Sequence, residues 1–116
     1  IDMFEADHNG SDFEVSEGNC DFALRIKGDS MEPQIPNGSI VLIHKQETIE
    51  TGEIGAFFHN GTVYCKKRGT NEGKTLLISN NPKYEPIEVV EDVVSKCYGK
   101  VISILSPVKL LSPSEQ

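Results

Sequence analysis

A chain of 116 residues with 37% hydrophobic and 25% charged content suits a single packed domain. Its formal net charge of -7 repels phosphate backbones and argues against nucleic-acid binding by these residues themselves. No apolar run approaches the roughly eighteen residues needed to span a bilayer, and the acidic start Ile1-Asp2-Met3-Phe4-Glu5 has the wrong sign for a secretory signal.

Residues 1–19 are polar and acidic, with turn signals at Asn9-Gly10 and Gly18-Asn19, and are expected to form a loosely packed arm. Residues 20–116 are expected to form the domain proper. Phe22, Leu24 and Ile26 alternate with Ala23, Arg25 and Lys27, the period-two pattern of a half-buried strand that Gly28 ends. Pro33 and Pro36 bracket a turn closed by Asn37-Gly38. Ser39 to His44 is apolar enough for a strand buried on both faces. Glu53–His59 and Thr62–Lys67 predict a hairpin around Asn60-Gly61. Further strands are expected at Thr75–Ser79, Ile87–Val90 and Tyr98–Leu105, with a turn at Asn80-Asn81-Pro82. Pro107 and Pro113 mark a frayed tail. No stretch shows helical periodicity. The fold class is therefore mainly β, about seven short strands in a small, partly open barrel or two packed sheets. The last strand, with Val108, Leu110 and Leu111 beyond it, is expected to offer an edge and an apolar patch to a symmetric partner.

Cys20, Cys65 and Cys97 make an odd count without a CxxC spacing, so neither a disulfide framework nor a zinc site is indicated. That usage fits a reducing cytoplasm. Cys65 and Val63 read as core positions. Asp7, His8 and Asp12 lack ligand spacing, and no metal or cofactor is expected. His44 and His59 read as ordinary surface or strand-end residues.

The chemistry lies in Gly28-Asp29-Ser30-Met31-Glu32-Pro33 together with Thr62-Val63-Tyr64-Cys65-Lys66-Lys67. A serine in a glycine turn is a poor nucleophile alone, and a lysine that has lost its proton can serve as its base. A serine in such a turn is more often a cap, and a lysine doublet at a strand end is more often solvated. Alternation puts Thr62, Tyr64 and Lys66 on one face and Val63, Cys65 and Lys67 on the other. Parity separates the two lysines without choosing between them.

These motifs resemble the peptidase domain of the LexA repressor family, which includes the phage lambda repressor and UmuD. The resemblance runs from about Asn19 to Ile104. It rests on Asp21 to Met31, Pro36 to Ile43, Thr48 to Gly52, Val63 to Lys67, Asn80 to Tyr84 and Tyr98 to Ile102, in that order. It implies a strand-rich, partly open barrel, Ser30 as nucleophile and Lys66, not Lys67, as general base. Backbone N–H groups of Ser30 and Met31 are the implied oxyanion donors. It also implies cleavage of the protein's own chain in cis, a homodimer, and stimulation by RecA filaments in the SOS response.

Two departures stand out. The family's Ala-Gly or Cys-Gly cleavage dipeptide does not occur here, and counting back from Ser30 to its usual place passes Ile1. No helix-turn-helix is present. The expectation is a C-terminal part of a longer LexA-like or prophage repressor, with its DNA reader upstream. A UmuD-like polymerase accessory protein and a catalytically idle dimerisation module are the alternatives. A signal peptidase shares the chemistry but needs a membrane segment.

Overall fold

The computed structural model describes residues 20–90 and 94–107, and the backbone of residues 2–4. Its regular elements are strands: β1 (Asp2–Phe4), β2 (Phe22–Arg25), β3 (Ile40–Lys45), β4 (Ile54–His59), β5 (Thr62–Asn71), β6 (Lys74–Ile78), β7 (Ile87–Glu88) and β8 (Ser95–Leu105). They form one antiparallel sheet in the order β1-β2-β3-β8-β4-β5-β6-β7. The mainly-β reading is borne out. Within the stretch expected to be a loose arm, Asp2–Phe4 pairs with β2 and extends the sheet. The other arm residues, and the patch of Val108, Leu110 and Leu111, lie outside the described residues.

The hairpin expected at Asn60-Gly61 is present, with φ of 48° and 86° at its two central residues and Thr62 opposite His59. Both angles are left-handed, as a turn matched to strand twist requires. β5 runs four residues beyond the expected Lys67 and turns at Glu72-Gly73 to pair with β6. Gly69 makes that possible inside the strand, because the Ile78 side chain occupies the space a Cβ would take.

The last strand corrects the edge expectation. β8 sits inside the sheet: Ser95–Lys100 pairs with β4 and Gly99–Leu105 with β3. Gly99 is the changeover, facing Lys45 on one flank and Ala56 on the other, and an added Cβ there would collide with the His44 carbonyl oxygen. Local alternation marks a strand but says nothing about which strands flank it. The expectation holds for half of β8. Its register with β4 ends at Lys100, so Val101 to Ile104 line a shallow hollow with Ile54, Gly52 and Gln34.

Alternation sorts the apolar side chains into two clusters. Leu24, Ile26, Val41, Ile43, Ala56 and Cys65 fill the main one, which Met31 and Ile35 complete from the turn after β2. Ile49, Phe57 and Leu77 form the second, with Tyr64, Ile87 and Cys97 against it. Strand neighbours divide between the two, Ala56 and Cys65 to the first, Phe57 and Tyr64 to the second. β3 is buried on both faces through Val41, Leu42 and Ile43, as its composition predicts. Val63 is half-buried rather than a core residue. Full burial of a Leu or Met side chain contributes about 1.5–3 kcal/mol, so Met31 and Ile35, 1% and 0% exposed, anchor their turn firmly.

Candidate active site

The turn that carries Ser30 begins where β2 can no longer continue. Gly28 has φ 98°, a left-handed value that favours glycine. Its N–H donates to Asn37 Oδ1, and the Asn37 N–H donates to Glu32 Oε2, so both ends of the 28–37 segment are tied together. Between them, Glu32 N–H donates to Asp29 O and Ile35 N–H to Met31 O. Met31 and Ile35 point into the main core. Ser30, between Asp29 and Met31, is left half-exposed above β5.

Lys66 rises from β5 to meet it. Its Nζ lies 2.8 Å from Ser30 Oγ, and the residue is only 6% exposed. Burial lowers the lysine pKa below its ordinary value, because desolvation penalises the ammonium. A Cys65 thiolate would oppose that shift, but burial pushes the thiol up to about 12, so it is uncharged at neutral pH. Tyr64 and Tyr84 flank the amine, with ring centroids 5.7 and 6.0 Å from Nζ. Lys67 is half-buried and does not line this cleft.

The cleft measures about 310 Å³. Lys27 to Ser30 form one wall, and Thr62 to Tyr64 with Lys66 form the other. Ser79, Tyr84, Glu85 and Ile87 close it. Asn81 N–H donates to Ser30 O, and Asn81 Nδ2 donates to Asp29 O at 3.1 Å. Tyr84 Oη and Lys83 Nζ both donate to the Asp29 carboxylate. Those two donors hold the Asp29 carboxyl below the usual carboxylate range. Sequence reasoning gave this 80–84 segment a turn and nothing more; the available signal was its place in the resemblance.

Both histidines stand at strand ends, as expected, but only His44 is partly exposed. His44 is half-buried beside Asp21, 3.3 Å away. His59 is not a surface residue: it is 7% exposed, with Nδ1 2.8 Å from Ser95 Oγ. It lines a second hollow of about 200 Å³ floored by Ile49, Phe57 and Leu77, away from Ser30. Cys20, Cys65 and Cys97 are in no disulfide, and Cys20 Sγ donates to Phe22 O. Asp7, His8 and Asp12 lie outside the described residues, and no group able to hold a metal ion occurs among those described.

The site thus brings together a hydroxyl, a buried amine and a walled cleft. A neutral amine at 2.8 Å is placed to accept the hydroxyl proton, the chemistry of a serine nucleophile with a lysine base. Residues 4–102 match the family model described as Peptidase S24-like. The chain is 44% identical over 87 residues to a LexA repressor of Carboxydothermus hydrogenoformans, covering 72% of this chain and 42% of that protein. It is 36% identical over 92 residues to a LexA repressor of Nocardioides sp., covering 78% and 36%. A LexA repressor of Petrotoga mobilis is 37% identical over 87 residues, covering 72% and 42%. The chain therefore spans less than half the length of these relatives.

Proposed function

The chain belongs to the S24-like peptidase family, and on that premise we propose that it is the self-cleaving, dimer-forming C-terminal domain of a LexA-like or prophage repressor. One observation carries the reading: a buried lysine amine 2.8 Å from a serine hydroxyl, in a cleft of about 310 Å³. Residues 20–116 are the peptidase domain, and residues 1–19 belong to the arm leading into it.

Neutral Lys66 accepts the Ser30 proton as Ser30 Oγ attacks the scissile carbonyl carbon. The backbone N–H groups of Ser30 and Met31 stabilise the developing oxyanion. The C–N bond breaks as the Lys66 ammonium returns its proton to the leaving amine. Lys66 then takes a proton from water as its oxygen attacks the acyl carbon, and returns that proton to Ser30 Oγ as the ester C–O bond breaks, restoring the free serine and the neutral amine. No metal or cofactor takes part. The substrate is a segment of the protein's own chain, bound in cis, and its docking completes the desolvation of Lys66.

In the cell the reaction would inactivate a cytoplasmic repressor during the SOS response, on a RecA filament, while DNA contacts lie with residues upstream. Ser30→Ala and Lys66→Ala should each abolish self-cleavage in the full-length protein at raised pH while the fold survives. Lys67→Ala should be mild. Parent and fragments on a gel decide it; a Lys66→Ala protein that cuts at the parental rate refutes the dyad.

A further inference from the structure

The 80–84 segment grips the residues on both sides of Ser30. Asn80 N–H points at Met31 Sδ at 3.4 Å, Asn81 N–H donates to Ser30 O at 2.9 Å, and Asn81 Nδ2 reaches Asp29 O. Tyr84 Oη and Lys83 Nζ then take one carboxylate oxygen each of Asp29. Tyr84 therefore makes two distinct contacts. Its hydroxyl holds the residue before the nucleophile, and its ring centroid stands 6.0 Å from the Lys66 amine.

We propose that Tyr84 is a positioning residue for the Ser30–Lys66 pair, fixing Ser30 through Asp29 and shielding the Lys66 amine from water with its ring. The inference rests on the dyad reading above. Tyr84 is 40% exposed and stands at the mouth of the cleft. A peptide laid across that mouth would cover both the ring and the Asp29 clasp. Excluding water there strengthens the hydrogen bonds and removes the remaining solvent around the amine. The clasp is thus weak in the open cleft and firm when a substrate segment is seated.

Two opposing effects act on Lys66, and their sizes settle the direction. A ring centroid 6.0 Å away stabilises the ammonium only weakly. Loss of the ring would admit water to an amine whose proton affinity is set mainly by desolvation. Desolvation wins, so removing the ring raises the lysine pKa. The other groups around the amine are Ser30 and Asp29 on the nucleophile turn, Cys65 and Tyr64 on β5, and Lys27 and Glu85 at the rim. Lys83 lies beyond the Tyr84 ring, 5.3 Å from its centroid. None of these is altered in the variants below.

The test is the pH–rate profile of self-cleavage in the full-length protein. Tyr84→Phe keeps the ring and loses the hydroxyl, so the alkaline plateau should fall about tenfold, the size of one hydrogen bond to a charged group, with the midpoint unmoved. Tyr84→Leu loses both, so the plateau should fall and the midpoint should rise by about half a pH unit or more. A purely structural role would lower thermal stability and leave the midpoint alone. Wild-type plateau in Tyr84→Phe, or an unmoved midpoint in Tyr84→Leu, overturns the proposal. Continued cleavage by a Ser30→Ala control would instead break the dyad reading on which it rests.

Discussion

Lys66 should be a liability for folding, and replacing it should stabilise the domain. The comparison is Ser30→Ala against Ser30→Ala/Lys66→Met, which removes self-cleavage and the Ser30–Lys66 hydrogen bond from both proteins. Methionine roughly fills the volume of the lysine stem without an amine. Burial has lowered the Lys66 pKa below its ordinary value, and each unit of lowering costs about 1.4 kcal/mol at neutral pH. Against that, the variant loses the attraction of the Tyr64 and Tyr84 rings, 5.7 and 6.0 Å away, about 0.5–1 kcal/mol each. The desolvation penalty outweighs that lost attraction, so the Lys66→Met protein should be the more stable of the two at pH 7 and melt at a higher temperature. The pH dependence carries the sign. Below the folded pKa both folded and unfolded lysines hold a proton, so the penalty is complete and constant. Between the lowered folded pKa and the ordinary unfolded value only the unfolded chain holds the proton, so the lysine protein gains stability as pH rises. The advantage of Lys66→Met is therefore largest at neutral pH and fades toward the ordinary lysine range. Urea denaturation at several pH values measures it. No stabilisation at pH 7, or a gap that widens with pH, would refute the claim that Lys66 is held by desolvation.

Self-cleavage without an activator should accelerate from neutral to alkaline pH, because raising pH supplies the neutral amine that the lowered Lys66 pKa only partly provides; a flat or falling profile in a folded protein argues against lysine as the base. Gly99→Ala should cost about 1–3 kcal/mol or more in thermal denaturation, since the new methyl would run into backbone at His44 and come within 2.8 Å of Ile43 Cγ2; wild-type stability would mean that β8 is not pinned between β3 and β4. The 116-residue chain should form a homodimer in sedimentation equilibrium, weakened by Ile102→Asp on the half of β8 that β4 leaves uncovered, and a strict monomer at high micromolar concentration would refute it. With a net charge of -7 the same chain should not shift DNA at low salt, and tight binding would place the DNA reader within these residues.

Much of this structure is written locally. The Asn60-Gly61 hairpin, the doubly buried β3 and the core position of Cys65 follow from turn chemistry and period-two alternation, and all three are present. What local pattern does not carry is pairing between distant segments. β8 is apolar and long whether it lies at an edge or inside the sheet, and only its two sets of partners, far away in sequence, decide. Beyond its place in the resemblance, Tyr84 carries no local signal, for a related reason. An exposed aromatic in a polar turn has no periodicity, and its meaning comes from Asp29, which the fold alone brings to it. His59 is the strand-end residue its sequence predicts, and its burial comes from Ser95, a neighbour distant in sequence.

The lysine doublet shows where sequence stops and fold begins. Alternation sends Lys66 and Lys67 to opposite faces, but it does not say which face has a cleft. The sheet supplies that through a stagger along β5. Thr62 to Lys67 pair with β4, while β6 begins only at Lys67. Lys67 therefore has strand partners on both flanks, Ile54 and Ile78, and its surroundings are filled by neighbouring strands. Lys66 is the last residue before β6 joins, and its strand partner is Gly55 alone. The free flank beside it admits the 28–35 turn, which Met31 and Ile35 press down into the core until Ser30 meets the amine. A shift of β6 by one residue toward the Asn60-Gly61 turn would pair Lys66 on both sides and shut the serine out. The turn at Glu72-Gly73 sets that register, so the length of β5 beyond the doublet helps determine that a lysine and a serine meet at all.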